Sequence, residues 1–353
     1  MMDIDYYLDD LNVIQEIEEV ENHLEINNNM RHVKLYKIRA NPFDLPEEEF
    51  KSKYRFGRNT ANFIIEMVKH ELSNDTRGGL IPPYLKVLTA IRVWGRGEVS
   101  HLGGMSQPSV SLLCKQVALA LVKKRADWIH MPASEEEQNK SIAEFYSICG
   151  FRQVIGAIDC THIRIPKISG NIGQYYINRK GYSSINVQVV CNANLVITDI
   201  VAHWRGSTHD SRIFNESRIK TRFEQFQFKG RLLGDSGYAC TPYLFTPVLN
   251  PRSLQEEAYN YAHIKTRNTV ERCFGVWKQR FRCLLRGFTT KLDNTKLYII
   301  ALAILHNIGM HRHDLPNDGH INNDNMDLPF LNHIIDNNMR GNTVRAAFIE
   351  ENF

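Results

Sequence analysis

The feature that most constrains the fold is residues 154–166, an apolar run that reaches a single carboxylate, Asp159, and continues as an extended segment. An apolar run of this length, rich in Ile and Val, predicts a strand buried on both faces of a sheet. A carboxylate at the end of such a strand needs a cation, hydrogen-bond donors or a proton, because burial of an unpaired charge is costly. Asp159 is therefore either a structural residue that caps a turn or pairs with an arginine, or part of a functional site.

Composition limits the class of protein but leaves the function open. The 353-residue chain is long enough for two domains, and its apolar and charged fractions are ordinary for a soluble globular protein. A formal net charge of +4 is only mildly basic, so bulk charge alone does not predict nucleic-acid binding. The seven cysteines are scattered and form no CxxC pair, which predicts reduced core residues and neither a disulfide framework nor a zinc knuckle.

The acidic N-terminus and the apolar stretches bear on localisation. The first residues are rich in Asp and Glu, the reverse of a signal or transit peptide. The most apolar stretch, residues 297–310, is too short to span a bilayer. We therefore expect an intracellular protein that does not associate with membranes.

The first 150 residues are predicted to be helical. Residues 1–42 form an arm with one amphipathic helix, in which apolar residues recur at spacings of three and four. In the helical region over residues 43–150, a short element at 99–105 and a helix capped by Ser106 have the outline of a helix-turn-helix. A plain helical subdomain explains the same pattern, and both interpretations stay open.

Strands dominate after residue 151. Residues 153–159, 184–191 and 195–203 predict a three-stranded meander, with a hairpin turn at 192–194. Short strands and helices then alternate, and long helices are expected over 258–285 and 294–311. This order predicts an α/β protein with a ribonuclease H-like mixed sheet flanked by helices, preceded by the all-helical N-terminal region. Residues 313–353 are polar and predict a mostly loose tail with a last short helix that includes 344–348.

Three acids stand where predicted elements end or turn, Asp159, Asp210 and Asp235, and a fourth, Glu271, lies within the long basic helix. Mg²⁺ and Mn²⁺ prefer such carboxylate oxygens and leave room for water and phosphate. Two of these ions about 4 Å apart can activate a water and stabilise the leaving oxygen of a phosphodiester. Each acid also has a structural alternative: a helix N-cap for Asp210, support of a turn for Asp235, and pairing with Arg267 for Glu271.

Basic residues accompany these acids. The long basic helix carries a stripe of cations at helical spacing that includes Arg267, Lys278 and Arg282. The loop before the second strand holds Arg179 and Lys180. We predict that these five cations bind a phosphodiester backbone, with a solvated amphipathic helix as the alternative for the stripe.

Five segments, in this order, resemble the PIF/Harbinger transposases and the domesticated nucleases derived from them. They are residues 156–162 (GAIDCTH), 178–182 (NRKGY), 206–211 (GSTHDS), 233–238 (LGDSGY) and the helix around Glu271, and the likeness covers about residues 150–312. The resemblance implies a ribonuclease H-like nuclease domain over 151–312, with Asp159, Asp235 and Glu271 as the catalytic Asp-Asp-Glu set and Asp210 as a further metal ligand. The 35 residues between Asp235 and Glu271 (271 − 235 − 1) are an interval that such sites often show. Cys160 stands where Gly is commoner in the family.

The resemblance implies a divalent-metal-dependent endonuclease or transposase that cleaves double-stranded DNA with Mg²⁺ or Mn²⁺. It also implies a separate Myb-like DNA-binding protein that serves nuclear import and end recognition, so we expect the protein in the nucleus, and in the cytoplasm before import. Paired transposon ends are compatible with a homodimer. One alternative is a domesticated, inactive DNA-binding or scaffold protein, against which the retention of all four acids counts. The other is an RNA nuclease on the same scaffold.

Overall fold

The computed structural model describes residues 41–72, 81–97, 105–316 and 339–353 of the chain. The predicted arm over residues 1–42, apart from its last two residues, lies outside these ranges. So does the short element at 99–105, apart from its last residue. The helix of the arm and the helix-turn-helix therefore stay predictions.

A short 3₁₀ helix, Pro42–Asp44, and six α-helices precede the sheet in the described residues, and local sequence signals set several of the helix ends. Ser106 caps one of them through its Oγ, which accepts a hydrogen bond from Ser109 N at 3.4 Å. In another, Ser134 and Glu137 form a reciprocal capping box. The helices are α1 (Glu47–Tyr54), α2 (Arg58–Val68), α3 (Pro83–Arg96), α4 (Gln107–Val122), α5 (Arg125–Trp128) and α6 (Glu135–Cys149).

The predicted ribonuclease H-like mixed sheet is confirmed. Its strands are β1 (Val154–Arg164), β2 (Ser184–Cys191), β3 (Ile197–Arg205), β4 (Arg231–Leu233) and β5 (Leu244–Phe245), in the order β3-β2-β1-β4-β5. The first three strands form the antiparallel meander, and β4 and β5 lie parallel to β1. The remaining helices are α7 (Asp210–Asn215), α8 (Arg218–Glu224), α9 (Leu254–Arg280), α10 (Cys283–Arg286), α11 (Leu292–His311) and α12 (Met339–Asn352).

The N-terminal helices and the sheet share one hydrophobic core. Trp94 on α3 and Trp277 on α9 are both buried in it, together with apolar residues of β1, β2 and β3. The described residues also belong to one compact unit. The predicted boundary at residue 150 therefore separates two kinds of secondary structure but not two cores.

Two predicted segments differ from the structure. The long basic helix begins earlier than predicted and ends at Arg280, because the chain leaves helical geometry at Phe281, whose ring is fully buried near Phe56. The C-terminal segment is less loose than its composition predicts. Helix α12 packs Phe348 against Phe151 and Phe245, with ring centroids 5.5 and 5.3 Å apart. The end of the predicted tail is thus part of the core, and residues 317–338 lie outside the described ranges.

Helix α11 carries the apolar stretch that the sequence shows near residue 300. Of the helices in the described part of the chain, none is long and apolar enough to cross a membrane. Instead, α11 packs against α4 and β3. Its apolar surface therefore belongs to the core of the protein.

Asn307 on α11 joins that helix to the start of the edge strand β3. Its Oδ1 accepts a hydrogen bond from Ile197 N at 2.8 Å. Its Nδ2 donates to Ile197 O and to Trp128 O, each at 2.7 Å. Asn307 therefore has a structural role, because its side chain satisfies backbone groups of β3 and α5.

We expect Asn307→Leu to lower the free energy of unfolding by about 2–4 kcal/mol, because buried backbone groups at Ile197 and Trp128 lose their partners. Urea denaturation followed by circular dichroism measures the change. Asn294→Leu, on the first turn of the same helix, is the matched control. Equal stability of the two variants would contradict the anchoring role of Asn307.

Candidate active site

Asp159 lies on β1 just beyond the part of that strand that pairs with its parallel neighbour β4. β4 pairs only with residues 154–157, whereas the antiparallel partner β2 follows β1 to Arg164. The predicted strand end at Asp159 is therefore wrong: β1 continues, and it is the pairing with β4 that stops. Asp235 comes two residues after Leu233, the last residue of β4, so the sheet brings Asp159 and Asp235 to the same edge.

The Asp159 carboxylate accepts two hydrogen bonds and lies near the charges of other side chains. Its Oδ1 accepts a hydrogen bond from Cys160 N at 2.7 Å, and its Oδ2 accepts one from Arg267 Nη2 at 3.3 Å. Burial, together with the charges of Asp235 and Asp210, raises the pKa of Asp159 to about 7, although the Arg267 guanidinium lowers it. Asp210 and Asp235 therefore lie close enough to Asp159 to disfavour the ionisation of its carboxyl group.

Asp210 is the first residue of α7, and His209 before it occupies the N-cap position. The N-cap alternative for Asp210 is therefore not what the structure shows. Its Oδ1 accepts a hydrogen bond from Asn186 Nδ2 at 2.9 Å, and the same amide donates to Thr208 O at 2.9 Å. Burial raises the pKa of Asp210, the hydrogen bond from Asn186 lowers it, and the charge of Asp235 raises it. Asn186 is not among the residues predicted for the site, and its only sequence signal is that it is a polar residue within a strand predicted to be buried.

Asp235 takes part in a turn as well as in the group of acids. Its Oδ1 accepts a hydrogen bond from Gly237 N at 2.9 Å, which is the turn support that the sequence offers as an alternative role. Its charge nevertheless raises the pKa of Asp159 and of Asp210. The turn thus fixes the direction of Asp235 without taking it away from the other two acids.

Arg267 and Glu271 lie one turn apart on α9. The contact between Arg267 and Asp159 joins this helix to the acids of the sheet. Arg267 Nη2 lies 2.6 Å from Glu271 Oε1 and 3.3 Å from Asp159 Oδ2, so one guanidinium connects two of the predicted catalytic carboxylates. The side chain of Arg267 is 9% exposed, whereas that of Glu271 is 56% exposed. The pairing that the sequence offers as the alternative role of Glu271 is therefore present, at a position that adjoins Asp159.

Arg267 is predicted to contact phosphate, a role that stays a prediction, and the structure shows its guanidinium among the acids. The sequence groups it with the cations of an exposed stripe because it shares their helical spacing. Its guanidinium is instead directed at Asp159 and Glu271, and the residue as a whole is 8% exposed. In the structure, Arg267 neutralises carboxylates rather than facing solvent.

Three of the other four predicted phosphate-binding cations, Lys278, Lys180 and Arg179, lie near His162 on β1, and the fourth lies farther along the chain. Lys278 follows on α9, and its Nζ donates a hydrogen bond to Thr161 Oγ1 on β1. Arg282 lies beyond the end of α9, at the start of α10. Arg179 and Lys180 are exposed in the loop before β2. The positions of these four residues do not show whether they bind nucleic acid, so that role stays a prediction.

The four acids have suitable donor chemistry for a divalent cation. Across residues 41–72, 81–97, 105–316 and 339–353, no group of three or more His, Cys, Asp or Glu side chains converges closely enough to hold a metal ion. Carboxylate oxygens are nevertheless the ligands that Mg²⁺ and Mn²⁺ prefer, and a cation would relieve the repulsion among Asp159, Asp210 and Asp235. The donor chemistry of these residues therefore suits such an ion, and their roles as ligands and catalysts stay predictions.

Comparison with known proteins agrees with this geometry. The family model described as DDE superfamily endonuclease matches residues 158–307. The chain is 32% identical over 276 residues to the Bos taurus protein named "Putative nuclease HARBI1", with 76% of this chain and 79% of that protein covered. It has the same identity and coverage with the Homo sapiens protein of that name. It is 25% identical over 288 residues to "Protein ALP1-like" of Arabidopsis thaliana, with 73% of this chain and 70% of that protein covered. No solved structure matches the chain.

The mixed sheet and the acids at its edge define a DDE superfamily endonuclease domain. The chain belongs to the family of Harbinger transposase-derived nucleases, which confirms the resemblance seen in the sequence. Endonucleases of this superfamily generally use divalent metal ions.

Proposed function

We propose that the protein is a divalent-metal-dependent endonuclease or transposase that cleaves phosphodiester bonds of double-stranded DNA. The observation that carries this proposal is the group of three partly buried acids, Asp159, Asp210 and Asp235, where β1 and β4 stop pairing. Burial and mutual repulsion raise the pKa of Asp159 to about 7, which makes this edge unfavourable for three carboxylates without a counter-ion. Such clustering of perturbed acids is more typical of a functional site than of a packing interaction.

We assign different roles to the residues of that site. Asp159, Asp235 and Glu271 would hold Mg²⁺ or Mn²⁺, with Asp210 as a further ligand. When bound, the ions would activate water and stabilise the charge on the leaving oxygen. Arg267 would position Asp159 and Glu271, since it bonds to both carboxylates.

Cations at the mouth of the site suit a DNA backbone. The pKa of His162 falls to about 4 through burial and through the charges of Lys278, Lys180 and Arg179, so these three cations converge near one residue of β1. A groove of about 610 Å³ continues along α9 and α10 and is lined by Lys278, Arg282 and other residues. A phosphodiester strand could therefore follow the groove to the acids.

The direct test is nicking of supercoiled plasmid by the purified full-length chain. We expect nicked circles with Mn²⁺ or Mg²⁺ and none with EDTA. Duplex RNA added as a competitor distinguishes the second alternative, because preferential cleavage of RNA would replace DNA as the proposed substrate. DNA binding without cleavage under any metal condition would favour the inactive scaffold.

We expect Glu271→Gln to reduce the nicking rate at least about a hundredfold, because the amide cannot supply the negative charge that a metal ligand needs. Glu257→Gln, an exposed position on the first turn of the same helix, is the matched control and is expected to nick like the wild type. Rates are measured with Mn²⁺ over time. If Glu271 only pairs with Arg267, both variants will nick at similar rates.

Three further proposals, on the binding partner, the cellular location and the oligomeric state of this protein, rest only on its family. We propose that a Myb-like DNA-binding protein brings the chain into the nucleus and recognises DNA ends, and that the chain acts as a homodimer. Co-expression with such a protein, followed by nuclear fractionation, tests the first point. Sedimentation of the purified chain tests the second.

A further inference from the structure

The connection from β1 to β2 is basic and contains no acid. Between Asp159 and Asp199 the sequence has no Asp or Glu, whereas Arg164, Lys167, Arg179 and Lys180 all fall within this interval. A segment with cations and no acids attracts a polyanion and repels a second copy of itself. Its position directly after Asp159 places this charge next to the candidate active site.

Within this connection, a short 3₁₀ helix, Asn171–Tyr176, exposes two large apolar side chains. Ile172 is 60% exposed and Tyr175 is 56% exposed, and Ile177 beyond the helix is 39% exposed. Tyr176 between them is buried. We call Ile172, Tyr175 and Ile177 the Tyr175 surface. Exposed apolar side chains gathered in this way typically mark a binding surface.

The backbone beneath the Tyr175 surface is held firmly. Tyr175 O accepts a hydrogen bond from Ser207 N at 3.1 Å. A Cβ at Gly206 would lie 2.3 Å from Tyr176 O, and one at Gly173 would lie 2.0 Å from Ile168 O, so the 3₁₀ helix fits closely against both neighbours. The exposed ring of Tyr175 therefore stands on a fixed support.

The Tyr175 surface adjoins the acids through the loop that leads to α7. The guanidinium carbon of Arg205 lies 5.2 Å from the centroid of the Tyr175 ring. Arg179 Nη2 lies 2.7 Å from His209 Nδ1, and His209 directly precedes Asp210. Aromatic and cationic groups thus lie together beside a predicted metal ligand.

We propose that the Tyr175 surface binds an unpaired base of the substrate strand next to the scissile phosphodiester. This inference rests on the proposed function, because it specifies the DNA that the site accepts. The ring of Tyr175 offers a stacking partner to any base that is not already stacked in a duplex. Arg205 and Arg179 bind the adjacent phosphates. The preferred substrate therefore carries unpaired nucleotides beside the cleavage position.

The test compares the binding of two labelled DNAs by fluorescence anisotropy in EDTA, so that no cleavage occurs. One is a fully paired duplex, and the other is the same duplex with a short central bubble. We expect the wild type to prefer the bubble, and Tyr175→Ala to weaken bubble binding about tenfold with little effect on the duplex. Tyr175→Phe keeps the ring and is expected to bind like the wild type. Tyr146→Ala, which removes another half-exposed tyrosine on α6, is the matched control.

Two results would overturn the inference. One is a Tyr175→Ala variant that binds the bubble as the wild type does, or loses duplex and bubble binding equally. The other is a loss of self-association in sedimentation with unchanged DNA binding, which would make the Tyr175 surface an interface between copies of the chain. Because binding is read without metal, failure of the wild type to nick plasmid would count against the proposed nuclease activity without deciding this inference.

Discussion

Asp159→Asn is expected to abolish metal-dependent nicking, with a loss of at least about 10³-fold in rate. The substitution keeps the size of the side chain and removes only its charge. Three other residues of the site act directly on Asp159: Arg267 bonds to it, and Asp210 and Asp235 raise its pKa. A neutral amide there removes one of the carboxylates proposed to hold the metal ion. Initial rates of plasmid nicking with Mn²⁺ measure the loss.

Asp199→Asn is the matched control for that experiment. Asp199 is also a buried Asp on the same sheet, and burial raises its pKa to about 6 although the charge of Arg125 lowers it. It lies on β3, and we expect its amide variant to nick within a few-fold of the wild type. Nicking by Asp159→Asn at the rate of the control would remove Asp159 from the catalytic set.

The sequence was sufficient to predict the sheet, because its pattern is local. Residues 184–191 are an apolar run, and the hairpin after it follows from turn chemistry. The acids could be proposed as well, since Asp235 follows a short apolar strand and Asp159 lies within a long one. That these two strands are parallel neighbours required the structure, because strand pairing joins residues far apart in the chain.

Other features of the site depend on packing that periodicity cannot show. Helical spacing places Arg267 and Lys278 on related faces of α9, and nothing in that spacing says which cation faces the sheet. The structure shows that Arg267 faces Asp159. In the same way, the polar composition of the C-terminal segment predicts exposure, whereas two apolar residues of α12, Phe348 and Ile349, are buried in the core.

The inward position of Arg267 leads to the second large expected effect. Arg267→Met should lower the free energy of unfolding in EDTA by about 3 kcal/mol, because it leaves the largely buried carboxylate of Asp159 without its cation. The same change removes the guanidinium that bonds to Asp159 and Glu271, and so frees both for a metal ion. We therefore expect Mn²⁺ to stabilise Arg267→Met more than it stabilises the wild type. Thermal denaturation with and without Mn²⁺ measures both effects.

Arg272→Met is the control for the second effect, since Arg272 is an exposed cation on the same helix. We expect it to have the stability of the wild type and the same gain from Mn²⁺. Comparing the two variants separates two possible roles of Arg267. One is that of a structural counter-ion, and the other is that of a competitor of the metal ion for the same carboxylates. If Mn²⁺ raises the melting temperature of Arg267→Met no more than that of Arg272→Met, Arg267 does not compete with a metal ion. The carboxylates that Arg267 holds would then not be the metal ligands, and the proposed use of Asp159 and Glu271 would fail without any measurement of cleavage.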